Sequence, residues 1–337
     1  FDILEFMAEL LAPAGNIEAL DAAIGEGADA VYMGLKSFNA RLRSSSFAWN
    51  QFEAAVNSVH KKGKKIYVTV NTVAEEWEME RMYRFLAYLN SVGPDGIIVQ
   101  DLGVVRMVQE FFPKPELHAS TQMNCASAAA VNQLSREGFS RVVVARELSL
   151  QEIQKIKEKS NAELEIFVHG ALCVSESGLC LFSSFLGGKS ANRGMCTQAC
   201  RRYFSADCNG VEKKGYYFSP HDLQLIDRIP DLVRAGVESF KIEGRMKSPE
   251  YVRGVTAIFR ELLDAGKNAT KPDLQRLADF FSRGGFTDSY YKKTVGHGML
   301  GVRSEEDKQA SRNTPKFNKT TRKVPIEISA EIFEGEN

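Results

Sequence analysis

The chain has 337 residues, 44% of them hydrophobic, enough for one large domain of roughly 250 residues with a smaller appendage. Lysine plus arginine equals aspartate plus glutamate at 43 each, so no whole-chain charge draws it to nucleic acid or membrane, and a polyanion partner must be met by a local basic patch. No run of 18 apolar residues occurs and FDILEFMAELLAPAG lacks the basic flank and cleavage site of a signal peptide, which excludes a membrane-spanning helix and makes a cytoplasmic protein the expectation.

Short β-branched runs alternate with amphipathic stretches. Strands are expected at ELLAPA (9–14), DAVYMG (29–34), KIYVTVN (65–71), GIIVQD (96–101), ELHAST (116–121), RVVVARE (141–147), ELEIFVH (163–169) and SFKIEG (239–244). The helices between them carry start signals: Ser149 with Glu152 reads as a capping box, and Ser219-Pro220 and Ser248-Pro249 read as caps followed by proline at the first helical position. Eight βα units in about 260 residues close most simply into a parallel (β/α)8 TIM-type barrel, an α/β fold, over 8–267; an open doubly wound sheet is the alternative.

One connection breaks the pattern. Between the seventh strand and Ser219 lie about 50 residues where 2 to 6 are usual, and this insertion, 170–218, holds Cys173, Cys180, Cys196 and Cys200. In a reducing compartment such crowding favours metal ligation over disulfides, and loops after barrel strands overhang the face where active sites sit. The spacing, C-x6-C, fifteen residues, then C-x3-C, is not the usual zinc-knuckle pattern. It leaves an iron–sulfur cluster, a structural zinc or unliganded thiols open. Cys125 and Cys208 fall outside the set and read as packing or surface residues.

Residues 268–320 read as a short helix, PDLQRLADFFSRGG, and an extended basic arm. In 321–337 the alternation of Val324, Ile326, Ile328, Ala330 and Ile332 reads as the first strand of a truncated β-rich domain, or as a strand pairing elsewhere.

Alternate barrel-strand side chains point inward, and a charge there needs a partner. If the aliphatic faces meet the helices, Tyr67, Thr69, Asn71, His118, Ser120, Glu165, His169, Lys241 and Glu243 face the axis, with Glu165 and Glu243 beside Lys241 and Arg146. His118, Arg146, Glu165, His169, Lys241 and Glu243 are the catalytic candidates, and a structural ion network filling the barrel is the plainer reading. Arg146 and Arg245 suit an anionic small molecule through bidentate hydrogen bonds, with Asn71 and Ser120 near it. No H-E-x-x-H, G-x-S-x-G, P-loop or G-x-G-x-x-G occurs, so the motifs support no standard hydrolase or kinase.

EIFVHGALCVSESGLCLFSS resembles the signature of the collagenase-like peptidase family, U32, in which an acidic residue, an aromatic, H-G and the first two cysteines recur in this order. ELLAPAGN, ALDAAIGEGADAVYMG, HASTQMN, ANRGMCTQACRR and SFKIEGRMKSPEYV are similar to further blocks of that family, from residue 8 to about residue 300. The resemblance implies an oxygen-independent hydroxylase of transfer RNA, ribosomal RNA or a quinone precursor. It implies a 4Fe-4S cluster on Cys173, Cys180, Cys196 and Cys200, and prephenate, a dicarboxylate, as oxygen donor.

The C-terminal strand is similar to the start of the extra region in longer members that hydroxylate ribosomal RNA cytidine, which favours ribosomal over transfer RNA. An RNA base must be single-stranded or extruded to reach such a pocket, and Arg201, Arg202 and Tyr203 are candidates to stack on it; the bland reading of CRRYF is a solvated basic turn. The other classes are a peptidase of undefined mechanism with zinc in the cysteine site, and an electron-transferring subunit of a heterodimer. Four thiolates would leave a tetrahedral zinc no open position for water.

Overall fold

Eight parallel strands close on themselves in the computed structural model, which describes residues 8–41, 47–302 and 309. In chain order the first half runs β1 (Glu9–Pro13), α1 (Ile17–Gly25), β2 (Ala30–Met33), α2 (Trp49–Lys61), β3 (Lys65–Val70), α3 (Met79–Val92), β4 (Gly96–Val99), α4 (Leu102–Phe111), β5 (Glu116–Ala119), α5 (Ala128–Arg136), β6 (Arg141–Val143), α6 (Leu150–Lys157) and β7 (Glu163–Gly170). Then come α7 (Phe182–Gly187), β8 (Phe204–Cys208), β9 (Val211–Gly215), β10 (Asp222–Gln224), α8 (Ile229–Arg234), β11 (Ser239–Ile242), α9 (Pro249–Ala265), α10 (Lys271–Phe280), β12 (Phe286–Thr287) and α11 (Ser289–Lys292). β11 pairs in parallel with both β7 and β1, which closes the TIM-type barrel and rules out the open sheet.

The alternation in the strands explains the two layers. Leu10, Val31, Val68, Ile97, Leu117, Ile166 and Phe240 are buried in the large cluster beneath the helices, while Leu11, Ala30, Tyr32, Tyr67 and Ile98 form a small apolar cluster inside the barrel. Each such side chain taken from water contributes roughly 1.5–3 kcal/mol. Helix starts follow local chemistry: Asn16 accepts from the Ala19 N–H at 2.8 Å, Asp101 from the Gly103 N–H at 2.8 Å, and Ser149 with Glu152 forms the expected capping box. Ser248 caps α9, with Pro249 in its first turn.

Two expectations fail. No helix starts at Ser219-Pro220. The Ser219 hydroxyl accepts from Arg201 at 2.9 Å, Pro220 bridges antiparallel to Leu300, and β10 runs antiparallel to β7; the helix waits until Ile229. The arm foreseen over 268–320 is not extended at its start. β12 pairs with β10, and Phe286, Tyr290, Tyr291, Met299 and Leu300 pack on the core, so the apolar residues spaced through this polar tract hold it down. Most of 303–320 and all of the strand expected over 321–337 lie outside the described residues. No described helix is long and apolar enough to cross a membrane.

Candidate functional site

The barrel interior holds two charge systems that meet at Tyr32. The lower one lies where strands begin: Arg141 bonds Glu9 and pairs with Glu163 at 2.8 Å and Glu165 at 3.5 Å, and Lys241 pairs with Glu165 at 2.6 Å. Ser239 and Tyr67 donate to Glu9 at 3.0 and 2.7 Å, and the Lys241 ammonium stands 4.4 Å from the centre of the Tyr32 ring. Burial pushes the Glu165 carboxyl up, but Lys241 and Arg141 more than offset this and hold it below the usual range. His118 joins this layer, 3.3 Å from Glu116 and edge-on to Tyr67. Arg141, not the expected Arg146, partners Glu165. The first residue of β6 reaches inward near the strand starts, while Arg146 lies beyond the strand's end. Glu165 and Lys241 thus sit in an ion network toward the strand starts, with His118 beside it, at the end of a barrel where charges more often serve stability than chemistry.

His169 leaves the axis altogether. The β7–β11 register shifts between Lys241, which faces Phe167, and Ile242, which faces His169. The irregularity breaks the period of two. His169 packs instead against Tyr251, Phe259 and Phe286, its Nδ1 has no hydrogen-bond partner, and burial, helped by Lys247, lowers its pKa to about 3.

The upper system lies at the C-terminal ends of the strands. Arg245 is 7% exposed, donates to the Thr69 hydroxyl at 2.7 Å, and its Nε has no acceptor. Gly34 makes room for it: a Cβ there would stand 2.8 Å from the guanidinium and 2.9 Å from Asn39. Glu243 pairs with Arg41 at 3.3 Å and accepts from the Tyr32 hydroxyl at 3.2 Å. Burial raises the Glu243 carboxyl, and Arg41 with Arg245 brings it below the usual range. Asn71 accepts from the Ala40 N–H at 3.0 Å, and its carbonyl accepts from Gln122 at 2.8 Å. Ser120 accepts from the Gln122 N–H at 3.2 Å, so both serve the loops that frame the mouth.

Arg41, which the sequence reading missed, acts electrostatically on Arg245 and Glu243 at this mouth. It arrives on the loop after β2, and no strand alternation marks it. Arg146 meets the overlying insertion, its Nε and backbone N–H donating to the Ser177 hydroxyl at 3.2 and 3.3 Å.

The insertion between β7 and β10 roofs this mouth. Cys173, Cys180, Cys196 and Cys200 are free and half-buried. Burial pushes the Cys200 thiol up to about 11; Arg201 opposes this and Cys173, Cys196 and Cys180 add to it, which puts all four within electrostatic reach. Cys196 likewise acts on Arg41, tying the thiols to the barrel mouth. Among the described residues no three of His, Cys, Asp and Glu stand close enough to hold one metal ion.

The loop is pinned at several points. Gly178 has φ +77, and a Cβ there would lie 2.0 Å from the Gln122 carbonyl. Ser177 donates to Glu147 at 2.8 Å, Arg193 reaches Glu78 at 2.9 Å, and the Gln198 N–H donates to Cys196 Sγ at 3.4 Å. Arg201 donates to Leu172, Ser219 and Pro220 at the two ends of the loop. Arg202 and Tyr203 stay exposed.

Residues 15–300 match the profile of Peptidase family U32. "tRNA hydroxylation protein P1" of Bacillus subtilis is 40% identical over 266 residues, 76% of this chain and 63% of the relative. "23S rRNA 5-hydroxycytidine C2501 synthase" of Escherichia coli is 42% identical over 260 residues, 76% of this chain and 39% of the relative. "Collagenase" of Porphyromonas gingivalis is 36% identical over 307 residues, 84% and 73% of the two chains. The match thus spans less than two thirds of the first two relatives. With the profile covering most of the barrel and the cysteine loop, the chain belongs to peptidase family U32.

Proposed function

We propose that this chain is the catalytic barrel of an iron–sulfur-dependent, oxygen-independent hydroxylase acting on a pyrimidine base of RNA. One observation carries the reading: four free thiols share a loop over the barrel mouth, with Cys196 in electrostatic reach of Arg41. The names of the 40% and 42% identical relatives support RNA as the substrate. Between the RNA classes the proposal keeps ribosomal cytidine ahead of transfer RNA uridine.

Cys173, Cys180, Cys196 and Cys200 would hold the cluster. Four half-buried thiols on one loop, with Cys173, Cys180 and Cys196 in electrostatic reach of Cys200, are a donor set suited to a cubane, whose bound sulfurs would stand about 6 to 7 Å apart against about 4 Å around zinc. A cluster bound there would supply electron-transfer chemistry at the mouth. The chain's own residues do the rest. Arg245 offers a buried guanidinium with an unused donor, and Arg41 stands in its electrostatic reach, a pairing suited to the carboxylates of prephenate. Glu243 holds Arg41 and Tyr32 in place, and Thr69 and Asn71 fix Arg245 and the neighbouring loop. An extruded base would enter past Arg202 and Tyr203.

Mass spectrometry of nucleosides tests the reading. RNA from cells lacking the protein should lose 5-hydroxycytidine from ribosomal RNA, and wild type but not Cys196→Ser should restore it. Loss from transfer RNA instead would move the substrate to uridine; unchanged nucleosides in both would end the RNA proposal. The relative named collagenase keeps a peptidase as the second reading, and collagen cleavage by metal-analysed protein decides it.

A further inference from the structure

We infer that Arg201 is a positioning residue for the cysteine site: its guanidinium closes the neck of the loop and places a fixed positive charge beside the first and last thiols. The inference rests on the cluster reading above for its electrostatic half and on hydrogen bonds alone for its structural half.

Arg201 directly follows Cys200, and Leu172, whose carbonyl accepts from Arg201 Nη2 at 2.6 Å, directly precedes Cys173. Nη1 donates to the Ser219 hydroxyl at 2.9 Å and to the Pro220 carbonyl. One planar fork therefore ties the entry of the excursion, its last cysteine and its exit, and the geometry needs three donors fixed in a plane. Ser219 is also where the chain beyond α11 is stitched in, its carbonyl accepting from the Gly301 N–H at 2.7 Å.

The acceptors are all neutral. Asp222, which acts on Arg201 through space, is itself paired with Arg283 at 3.4 Å, and Arg283 opposes the Arg201 charge. The hydrogen bonds of Arg201 therefore supply it no counter-charge, and its place in the chain directly after Cys200, with its Nη2 on the carbonyl that precedes Cys173, puts the cation next to the first and last cysteines. Four thiolates around iron carry net negative charge, so the same cation stabilises the loaded site.

Two variants separate the roles. Arg201→Ala removes fork and charge; Arg201→Lys keeps the charge without the fork. Hydrogen exchange on metal-free protein should show amides near 171–174 and 218–221 exchanging about ten-fold faster or more in Arg201→Ala, with Arg201→Lys between it and wild type. After anaerobic loading with iron and sulfide, Arg201→Ala should lose iron to a chelator faster and show a more negative reduction potential, while Arg201→Lys keeps the wild-type potential. Unchanged exchange in both variants overturns the neck. An unchanged potential in Arg201→Ala overturns the charge role. If wild type takes up no iron, the cluster reading and the charge role fall together, and exchange still decides the neck.

Discussion

Glu165 and Glu243 are both carboxylates on inward-facing positions of the barrel, and their partners set different jobs. Glu165 meets Lys241 and Arg141 in the barrel core, so Glu165→Gln would leave Lys241 without its carboxylate while Arg141 keeps Glu9 and Glu163. We expect that substitution to cost about 3–5 kcal/mol in urea unfolding; a cost below about 1 kcal/mol would refute the structural assignment. Arg245 is the opposite case, a buried cation with an unused donor. Arg245→Gln should weaken prephenate binding by at least about 30-fold in titration calorimetry, the loss of one partner of a buried charged pair. Equal affinity would move the donor site elsewhere.

His169 gives a pH test. Its pKa is about 3 in the fold against 6.5 ordinarily, so the unfolded chain takes up a proton that the folded chain refuses. The stability it contributes is full above pH 6.5 and declines as pH falls toward about 3. His169→Phe should therefore flatten the fall in melting temperature between neutral and mildly acid pH, and an unchanged slope would contradict its neutral burial.

Among the elements, strands were legible wherever apolar residues alternate, because each barrel strand buries one face under a helix and the pattern repeats in sequence. The irregularity between β7 and β11 was not legible. Strict alternation put His169 on the axis, while the pairing with β11 skips Val168 and His169 packs against the Tyr251 and Phe259 rings of α9. Ser219-Pro220 misled for a different reason: the pair has helix-start chemistry, but a guanidinium 18 residues earlier takes the hydroxyl.

The cysteine loop announced itself by composition, yet its docking depends on Gly178, whose left-handed backbone lies against the Gln122 carbonyl. Gly178→Ala meets both a strained φ and a clash with backbone. It should lower iron content and expose the loop to limited proteolysis while the circular dichroism of the barrel is kept. A variant with full iron and a protected loop would show that this docking does not position the thiols.

At the scale of the molecule, barrel, insertion and overhang of the cysteines at the C-terminal face were readable from order and spacing. The mouth itself was only half readable. Arg245 and Glu243 sit on the last inward positions after β11, where alternation marks them, whereas Arg41 reaches the same place from a loop that carries no such signal. Arg146 meets Ser177 of the overlying loop, and Glu165, expected beside it, has Arg141 as its arginine partner.

The shape that results is a barrel filled toward its lower end by an ion network and roofed at its upper end by the cysteine loop. The proposed chemistry lies at the mouth beneath Cys173, Cys180, Cys196 and Cys200. Iron, sulfide and zinc analysis of strictly anaerobically purified protein tests this most directly. The account predicts about four iron and four sulfide per chain, lost in Cys196→Ser with the barrel still folded; one zinc per chain without iron, or full iron in that variant, would contradict it.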